Sequence, residues 1–328
     1  MPTQVLNGLY QIVIPTPFKV GPVNCYVTAT VPITLIDTGT KWDESRRALQ
    51  LELGALGLKI ADVQRIVITH AHADHYGLAA EIAQASGAEV WSHRHNRALL
   101  ADDETSRSQR DEFYRLLMTE SGVPLEQRRR VADSRRGGNR YADVVQIDRT
   151  LEEASEIELA NRVWRVYHTP GHAGGLICLF DHESRVLLSN DHLLRDISSN
   201  PVVEPDPDGG PRPHRLVQYI HHMQRMADLE PSVAWTGHGH EIHDVHKTVR
   251  QRLHFHERRA QRILELVGAE ERSAFQIAGP LFGRLDGMDS FLALSETIGH
   301  LDWLEEQARL EPVKRDEVIY WRRISGHG

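Results

Sequence analysis

The stretch Thr69-His70-Ala71-His72-Ala73-Asp74-His75 constrains this chain more than any other. Arg65-Ile66-Val67-Ile68 precedes it, a β-branched run that reads as a buried strand, and Tyr76 to Ser86 follows with the composition of a helix. The histidines are therefore predicted in a strand-to-helix loop. A loop held at both ends by regular structure can aim several side chains at one point without bending either neighbour. Three imidazoles and one carboxylate within six positions form a metal-ligand inventory. Nitrogen and oxygen donors suit zinc, iron or manganese rather than a thiolate-seeking ion. Crowded, desolvated imidazoles are costly unless a cation gathers them.

The rest of the chain repeats the same local design. Gly8 to Ile14 and Asn24 to Thr28 alternate apolar and polar residues and read as paired strands, with Pro15, Pro17 and Pro22 confining their connection to a loop. Pro32 to Ile36 is a further strand ending in Asp37-Thr38-Gly39. Asp37 either caps the next helix, which starts near Asp43, or stands as a buried carboxylate behind the histidine loop. Strands are also predicted at Glu89 to Trp91, Arg162 to His168, Leu176 to Phe180, Arg185 to Leu188 and Ser232 to Trp235. Helices at Ser45 to Leu56, Tyr76 to Ser86 and His214 to Leu229 alternate with them, which argues for an α/β architecture. Four apolar strands thus end in His or Asp flanked by small residues: at 70–75, His172, Asp191 and His238. Together these could supply the ligands that two metal ions need.

Two segments depart from this alternation, the first with a part that can pack as a helix on Phe113, Tyr114, Leu116 and Leu117. Between Arg107 and Arg140 nine arginines outnumber five acids, which suits either a solvated helical face or a patch or lid for an anionic substrate. Within it Arg135 to Asn139 is predicted as a flexible turn. Asn200 to Arg215 carries five prolines and must be a loop. The length of 328 residues predicts a main domain with a smaller appendage, divided as 1–245, with an insertion at about 104–142, and 246–328. A net charge of -8 gives no overall attraction to nucleic acid or anionic membrane. The amino terminus lacks the basic start and apolar core of a secretion signal, so a cytoplasmic location is expected. Cys25 and Cys178 are isolated in apolar strands and read as small core residues.

At this point the chain, over roughly residues 8 to 245, resembles the metallo-β-lactamase-fold superfamily. Thr-His-Ala-His-Ala-Asp-His is similar to its HxHxDH signature, Thr169-Pro170-Gly171-His172 to its next metal histidine, Leu188 to Leu193 to its bridging-aspartate segment and Thr236 to Gly239 to its last histidine. Ile36-Asp37-Thr38-Gly39 completes five motifs in the family's order. The resemblance implies a four-layer αββα sandwich of two mixed sheets with a dinuclear site at one edge. It implies that His70, His72 and His172 hold one divalent ion, Asp74, His75 and His238 the other, with Asp191 bridging, and zinc as the metal ahead of iron or manganese. It implies a metal-dependent hydrolase whose metal-bridging hydroxide attacks a thioester, ester or lactone carbonyl, with Asp74 orienting the nucleophile or collecting its proton. His192 could stabilise developing charge, with a supporting or solvent-facing role as the other reading. Asn190 stands where the family uses Gly and could narrow the approach to Asp191.

Residues 246–328 resemble the small winged-helix tail of members related to the lactamase-like endoribonuclease. Helices are predicted at His246 to Val267, Ser273 to Phe282 and Ser290 to Arg309, then a hairpin from Val313 to Ile324 turning near Arg315-Asp316. Ten acids against seven bases from Glu271 to Ile324 disfavour duplex binding. The tail is expected to pack on the catalytic domain, shape its site or form a homodimer contact. The leading partner is a small-molecule acyl substrate. The alternative function is a phosphodiesterase or endoribonuclease acting on single-stranded RNA.

Overall fold

A computed structural model describes residues 1–283 and 287–324. Seven strands form the first sheet in sequential order: β1 (Thr3–Leu6), β2 (Leu9–Ile14), β3 (Val23–Thr28), β4 (Thr34–Ile36), β5 (Arg65–Ile68), β6 (Glu89–Ser92) and β7 (Arg149–Thr150). Pairing is antiparallel from β1 to β4 and parallel from β4 to β7. Five strands form the second: β8 (Glu156–Leu159), β9 (Arg162–His168), β10 (Ile177–Asp181), β11 (Val186–Asn190) and β12 (Val233–Thr236), laid in reverse sequence order. Only β11 and β12 pair in parallel there, so both sheets are mixed.

The period-2 alternation of these strands builds the layers. Tyr26, Ile36 and Val67 of the first sheet meet Trp164, Val166, Leu179 and Leu188 of the second in the inter-sheet core. Their sequence neighbours Cys25, Val27, Leu35, Ile66 and Ile68 point the other way, onto α1 (Asp43–Ala55) and the helix pair α2 (Ala73–Tyr76) and α3 (Ala79–Ser86). Cys178, Phe180 and Leu187 likewise face outward, between the second sheet and α7 (Arg215–Asp228) and α8 (Val245–Val267). Strands covered on both faces read as near-continuous apolar runs, as β3 and β11 do. The expected four-layer α/β sandwich is therefore present. Both cysteines are buried and unpaired.

Two local expectations change. The helix predicted from Tyr76 begins earlier and is broken, so Asp74 and His75 stand on the helical turn α2 rather than in a loop. The break falls at Gly77, where a Cβ would lie 2.4 Å from the Lys41 amide nitrogen and 2.5 Å from the Tyr141 carbonyl oxygen, so only glycine fits. The insertion contains α4 (Arg97–Ala101), α5 (Glu104–Glu120) and α6 (Leu125–Gly138). The turn predicted at Arg135 to Asn139 is instead mostly the end of α6. Buried Val131 anchors that helix, and the Arg135 guanidinium lies 3.6 Å from the centre of the Tyr114 ring. Tertiary packing here outweighs the glycine pair.

After α8 come β13 (Arg272–Ser273), α9 (Ala274–Phe282), α10 (Gly287–Glu306), β14 (Leu310–Arg315) and β15 (Val318–Arg323), with a three-stranded sheet in the order β13-β15-β14. Ser273 and Gln276 form a capping box that starts α9. Ile263, Ile277, Leu294, Leu301 and Trp321 share a core with Tyr114, Leu117 and Val131 of the insertion. The expected hairpin is longer than predicted at its start and turns after Arg315, as read. Among the described residues, no helix is long and apolar enough to cross a membrane.

Candidate metal centre

The seven residues picked out by sequence converge although they come from segments up to 168 positions apart. Five of them ride at the ends of strands. His70 and His72 follow β5, His172 follows β9, Asp191 follows β11 and His238 follows β12, while α2 lifts Asp74 and His75 back toward them. Parallel pairing of β11 with β12 sets Asn190 beside Thr236, which brings Asp191 and His238 to one edge.

His72 Nδ1 lies 3.0 Å from both His70 Nε2 and His172 Nε2. Asp191 reaches in two directions, Oδ1 toward His75 Nε2 at 3.5 Å and Oδ2 toward His172 Nε2 at 3.5 Å and His238 Nε2 at 3.6 Å. His238 Nε2 is also 3.4 Å from Asp74 Oδ2. Donors bound to one tetrahedral zinc at about 2.0–2.2 Å are separated by roughly 3.3–3.6 Å, which the carboxylate–imidazole spacings of 3.4–3.6 Å match and the 3.0 Å contacts of His72 undercut by a few tenths of an ångström.

The opposite ring edges are tied to the protein. His75 Nδ1 is 2.7 Å from Asp37 Oδ2, His172 Nδ1 is 2.9 Å from the Asn200 carbonyl and His238 Nδ1 is 2.7 Å from the Pro22 carbonyl. Because carbonyls only accept, His172 and His238 donate through Nδ1 and turn Nε2 inward. Asp37 also accepts from the Thr69 amide and hydroxyl, at 2.9 and 2.8 Å. Asp37 is therefore the buried carboxylate behind the cluster, at positive φ, and not the cap of α1, whose start has no side-chain cap bond.

Electrostatics agree with the donor chemistry. Burial, then the neighbouring His75 and His72, push His70 well below its usual pKa, and burial with His72 takes His172 down to about 4. Burial also lowers His72, outweighing the pull of Asp74. Burial alone would raise Asp74, yet His75 and His238 hold it at about 2. Asp191 is held well below the carboxylate range against its burial by His238 and His75. These carboxylates, with Asp37 for His75, in turn raise His75 and His238 despite burial. Neutral imidazoles and ionised carboxylates are the forms that ligate metal, so His70, His72, His172, Asp74 and Asp191 already have the required form, and a cation would replace the protons that the carboxylates favour on His75 and His238. His75 Nε2 and Asp191 Oδ1 are buried without a hydrogen-bond partner, so the residues fit a divalent ion bound between them.

Two expectations beside the cluster are revised. His192 is wholly buried with its ring edge-on to Tyr219 at 5.5 Å, and burial brings its pKa down to about 3. It has no exposed edge from which to meet a substrate or solvent. Asn190 adopts a positive φ of 45° and turns its amide to the Ile177 carbonyl, 3.3 Å away, so it does not narrow the approach to Asp191. Asn is among the few side chains that tolerate that backbone region.

Sequence reading missed a second cluster, His93, His95 and His168, although His93 and His95 repeat the HxH spacing at a strand end. Two of its ring nitrogens are engaged by backbone. His93 Nδ1 accepts from the His95 amide at 3.2 Å, His168 Nε2 meets the Gly174 carbonyl at 2.9 Å, and the His93 and His168 rings stack at 3.8 Å. The His168 contact ties the stack to the loop carrying His172, and one nitrogen from each of the three rings lies within 4.8 Å of the others.

Residues 18–238 match the sequence profile of the Metallo-beta-lactamase superfamily. "Probable metallo-hydrolase YqjP" of Bacillus subtilis (strain 168) is 31% identical over 311 residues, which is 95% of this chain and 96% of that protein. "Hydroxyacylglutathione hydrolase GloC" of Haemophilus influenzae is 24% identical over 178 residues, 50% of this chain and 71% of that protein. A crystal structure of a metallo-beta-lactamase family protein from Thermus thermophilus superposes with a TM-score of 0.84 at 28% identity, over 98% of this chain and all of that one (100%).

Proposed function

The chain belongs to the metallo-β-lactamase superfamily and is a metallo-hydrolase, and on that premise we propose that it is a dinuclear enzyme hydrolysing a thioester, ester or lactone at its carbonyl. The observation that carries this reading is the position of Asp191 between the two groups of donors, with His172 of one group at 3.5 Å and His75 and His238 of the other at 3.5 and 3.6 Å. His70, His72 and His172 would hold one ion, Asp74, His75 and His238 the other, and Asp191 both. Zinc suits a site of imidazole nitrogens and carboxylate oxygens, with iron or manganese as alternatives. When bound, two such ions lower the pKa of water toward neutrality and withdraw electron density from a substrate carbonyl. Asp37 would keep His75 oriented, and Asp74 would accept the proton released in the attack.

An acyl substrate is favoured over single-stranded RNA by what the insertion's arginines do. Arg107 and Arg110 pair with Asp102, Arg115 with Glu112 and Arg130 with Glu126, while Arg128 donates to the Val123 carbonyl and Thr119. This supports a solvated helical face rather than a phosphate-binding patch. The name of the Haemophilus influenzae relative also supports acyl hydrolysis. The order α8-β13-α9-α10-β14-β15 supports a winged-helix-like unit from 246 onward, of which residues 284–286 and 325–328 lie outside the described residues. The test is a panel of acyl thioesters, esters and lactones with metal-replete protein beside His70→Ala. Turnover of at least one class, abolished in the variant, is expected. No turnover anywhere on the panel, with salt-sensitive binding of single-stranded RNA, would transfer the assignment to the phosphodiester reading.

A further inference from the structure

The segment that carries Asp191 is held from behind by two adjacent serines, and the half-buried one, Ser198, starts a polar chain that runs into the interior. Ser199 Oγ donates to the Asp191 carbonyl, closing the loop from 191 to 199 on itself. Next to it, Ser198 Oγ is 3.3 Å from His256 Nε2 on α8, and His256 Nδ1 is 3.2 Å from His300 Nε2 on α10. His300 Nδ1 ends the chain on the Glu296 carbonyl at 2.7 Å. Arg252, one turn before His256, donates to the Leu194 and Arg195 carbonyls at 3.1 and 2.7 Å. The Tyr219 hydroxyl meets Ser198 and the Ser199 backbone, and its ring separates His192 from His256.

The sense of this chain is fixed by its last member. A carbonyl can only accept, so His300 carries its proton on Nδ1 and offers Nε2 as acceptor. His256 must then donate through Nδ1 and accept at Nε2, which leaves the Ser198 hydroxyl as the donor. Both rings are fully buried, and burial foremost keeps them neutral, at about 2 for His256 and about 4 for His300. No other assignment of the protons satisfies all three contacts. A chain with a single arrangement restricts where Ser198 can sit, and through Ser199 where the Asp191 backbone can sit.

We infer that His256 and His300 are positioning residues of the metal centre, through which the C-terminal helices α8 and α10 fix the Ser198–Ser199 corner and so the metal-bridging Asp191. This gives the C-terminal segment a role in the chemistry that needs no nucleic acid and no contact with substrate. The inference rests on the dinuclear reading of the cluster. Hydrogen bonds made directly to a ligating side chain are worth about 10- to 100-fold in metal affinity, and these, which act through the Asp191 backbone, are expected at the lower end of that range or below it.

The experiment is a zinc and cobalt titration of metal-stripped protein with a chromophoric competitor, so that no substrate is involved. The variants are Ser198→Ala, His256→Phe and His256→Gln, whose folding is followed by circular dichroism. Ser198→Ala removes one hydroxyl and is the variant to rely on if the phenylalanine is not accommodated. Zinc affinity about tenfold weaker and an altered cobalt absorption spectrum are expected for Ser198→Ala and His256→Phe. His256→Gln, able to accept from Ser198 and donate to His300, should recover most of the loss. Unchanged affinity and spectrum in Ser198→Ala overturn the inference, as does equal loss in the Gln and Phe variants, which would mark a packing effect. Wild-type protein that takes up fewer than two ions overturns the dinuclear reading itself and takes the inference with it.

Discussion

Asp37 accepts three hydrogen bonds in a fully buried position, two from Thr69 and one from His75. It therefore sets the ring orientation of His75 and ties that ring to the backbone entering the histidine turn. Asp37→Asn keeps the shape but replaces one acceptor oxygen with a donor amide. Metal affinity is expected to fall about 10- to 100-fold, with near-native circular dichroism, in a competition titration. Asn190 offers a contrasting case, because its backbone conformation matters more than its side chain. Asn190→Gly should be close to neutral, whereas Asn190→Val should lose about 1–2 kcal/mol or more in denaturant unfolding, since a β-branched residue is strained at positive φ. If the valine variant unfolds at the wild-type denaturant midpoint, the backbone argument fails.

Among the elements, α10 carries an unusual load of buried polar groups. Glu296 faces Arg259 of α8 at 3.5 Å, lies 3.9 Å from His300 Nδ1 on its own helix and belongs with His256 to the same buried cluster. Burial raises its pKa to about 7 from an ordinary 4.5, against the attraction of Arg259. A carboxyl group whose folded pKa is raised binds more protons in the native state, so stability falls as pH rises from about 4.5 to 7. His256 and His300, with lowered values, act oppositely and destabilise as pH falls below about 6.5. Glu296→Gln isolates the first effect. The variant should gain up to roughly 3 kcal/mol relative to wild type at pH 8, with the advantage vanishing below about pH 4.5. Parallel stability curves for the two proteins from pH 4 to 8 would contradict it.

At the scale of the molecule, α8 joins two cores. Val245 and Val249 pack with Tyr219 and Met223 over the second sheet, and Ile263, Leu264 and Val267 pack with α10 and the insertion. Unfolding of either part exposes one end of the same helix, so calorimetry is expected to give one transition rather than two. A chain ending before Val245 should lose solubility or unfold, because it strips Val245 and Val249 from the apolar layer over the second sheet and removes α8 and α10 from α7. The metal cluster adds a further dependence. A cation bound only by the folded chain stabilises by about 2.7 kcal/mol at a concentration of 100 times its dissociation constant, so a chelator should lower the midpoint of thermal unfolding and zinc should restore it.

What the sequence determined by itself is the local chemistry: the donor types at 70–75, 172, 191 and 238, their placement at strand ends, and the alternation that sorts Tyr26 inward and Cys25 outward. These depend on side-chain identity and on a two-residue period, both of which are properties of short segments. A glycine pair misled where long-range packing intervened, in α6, which Val131 and Arg135 hold together, and the helix expected from Tyr76 to Ser86 is broken at Gly77, where backbone from Lys41, Ala73 and Tyr141 leaves no room for a side chain. Only the tertiary structure decided which of 20 histidines meet at the cluster, which stack at its side and which, like His192, His256 and His300, lie buried behind it. Those partnerships follow from strand register and helix packing between segments far apart in the chain, and an imidazole becomes a ligand, a brace or a hydrogen-bond relay according to what faces each of its two nitrogens.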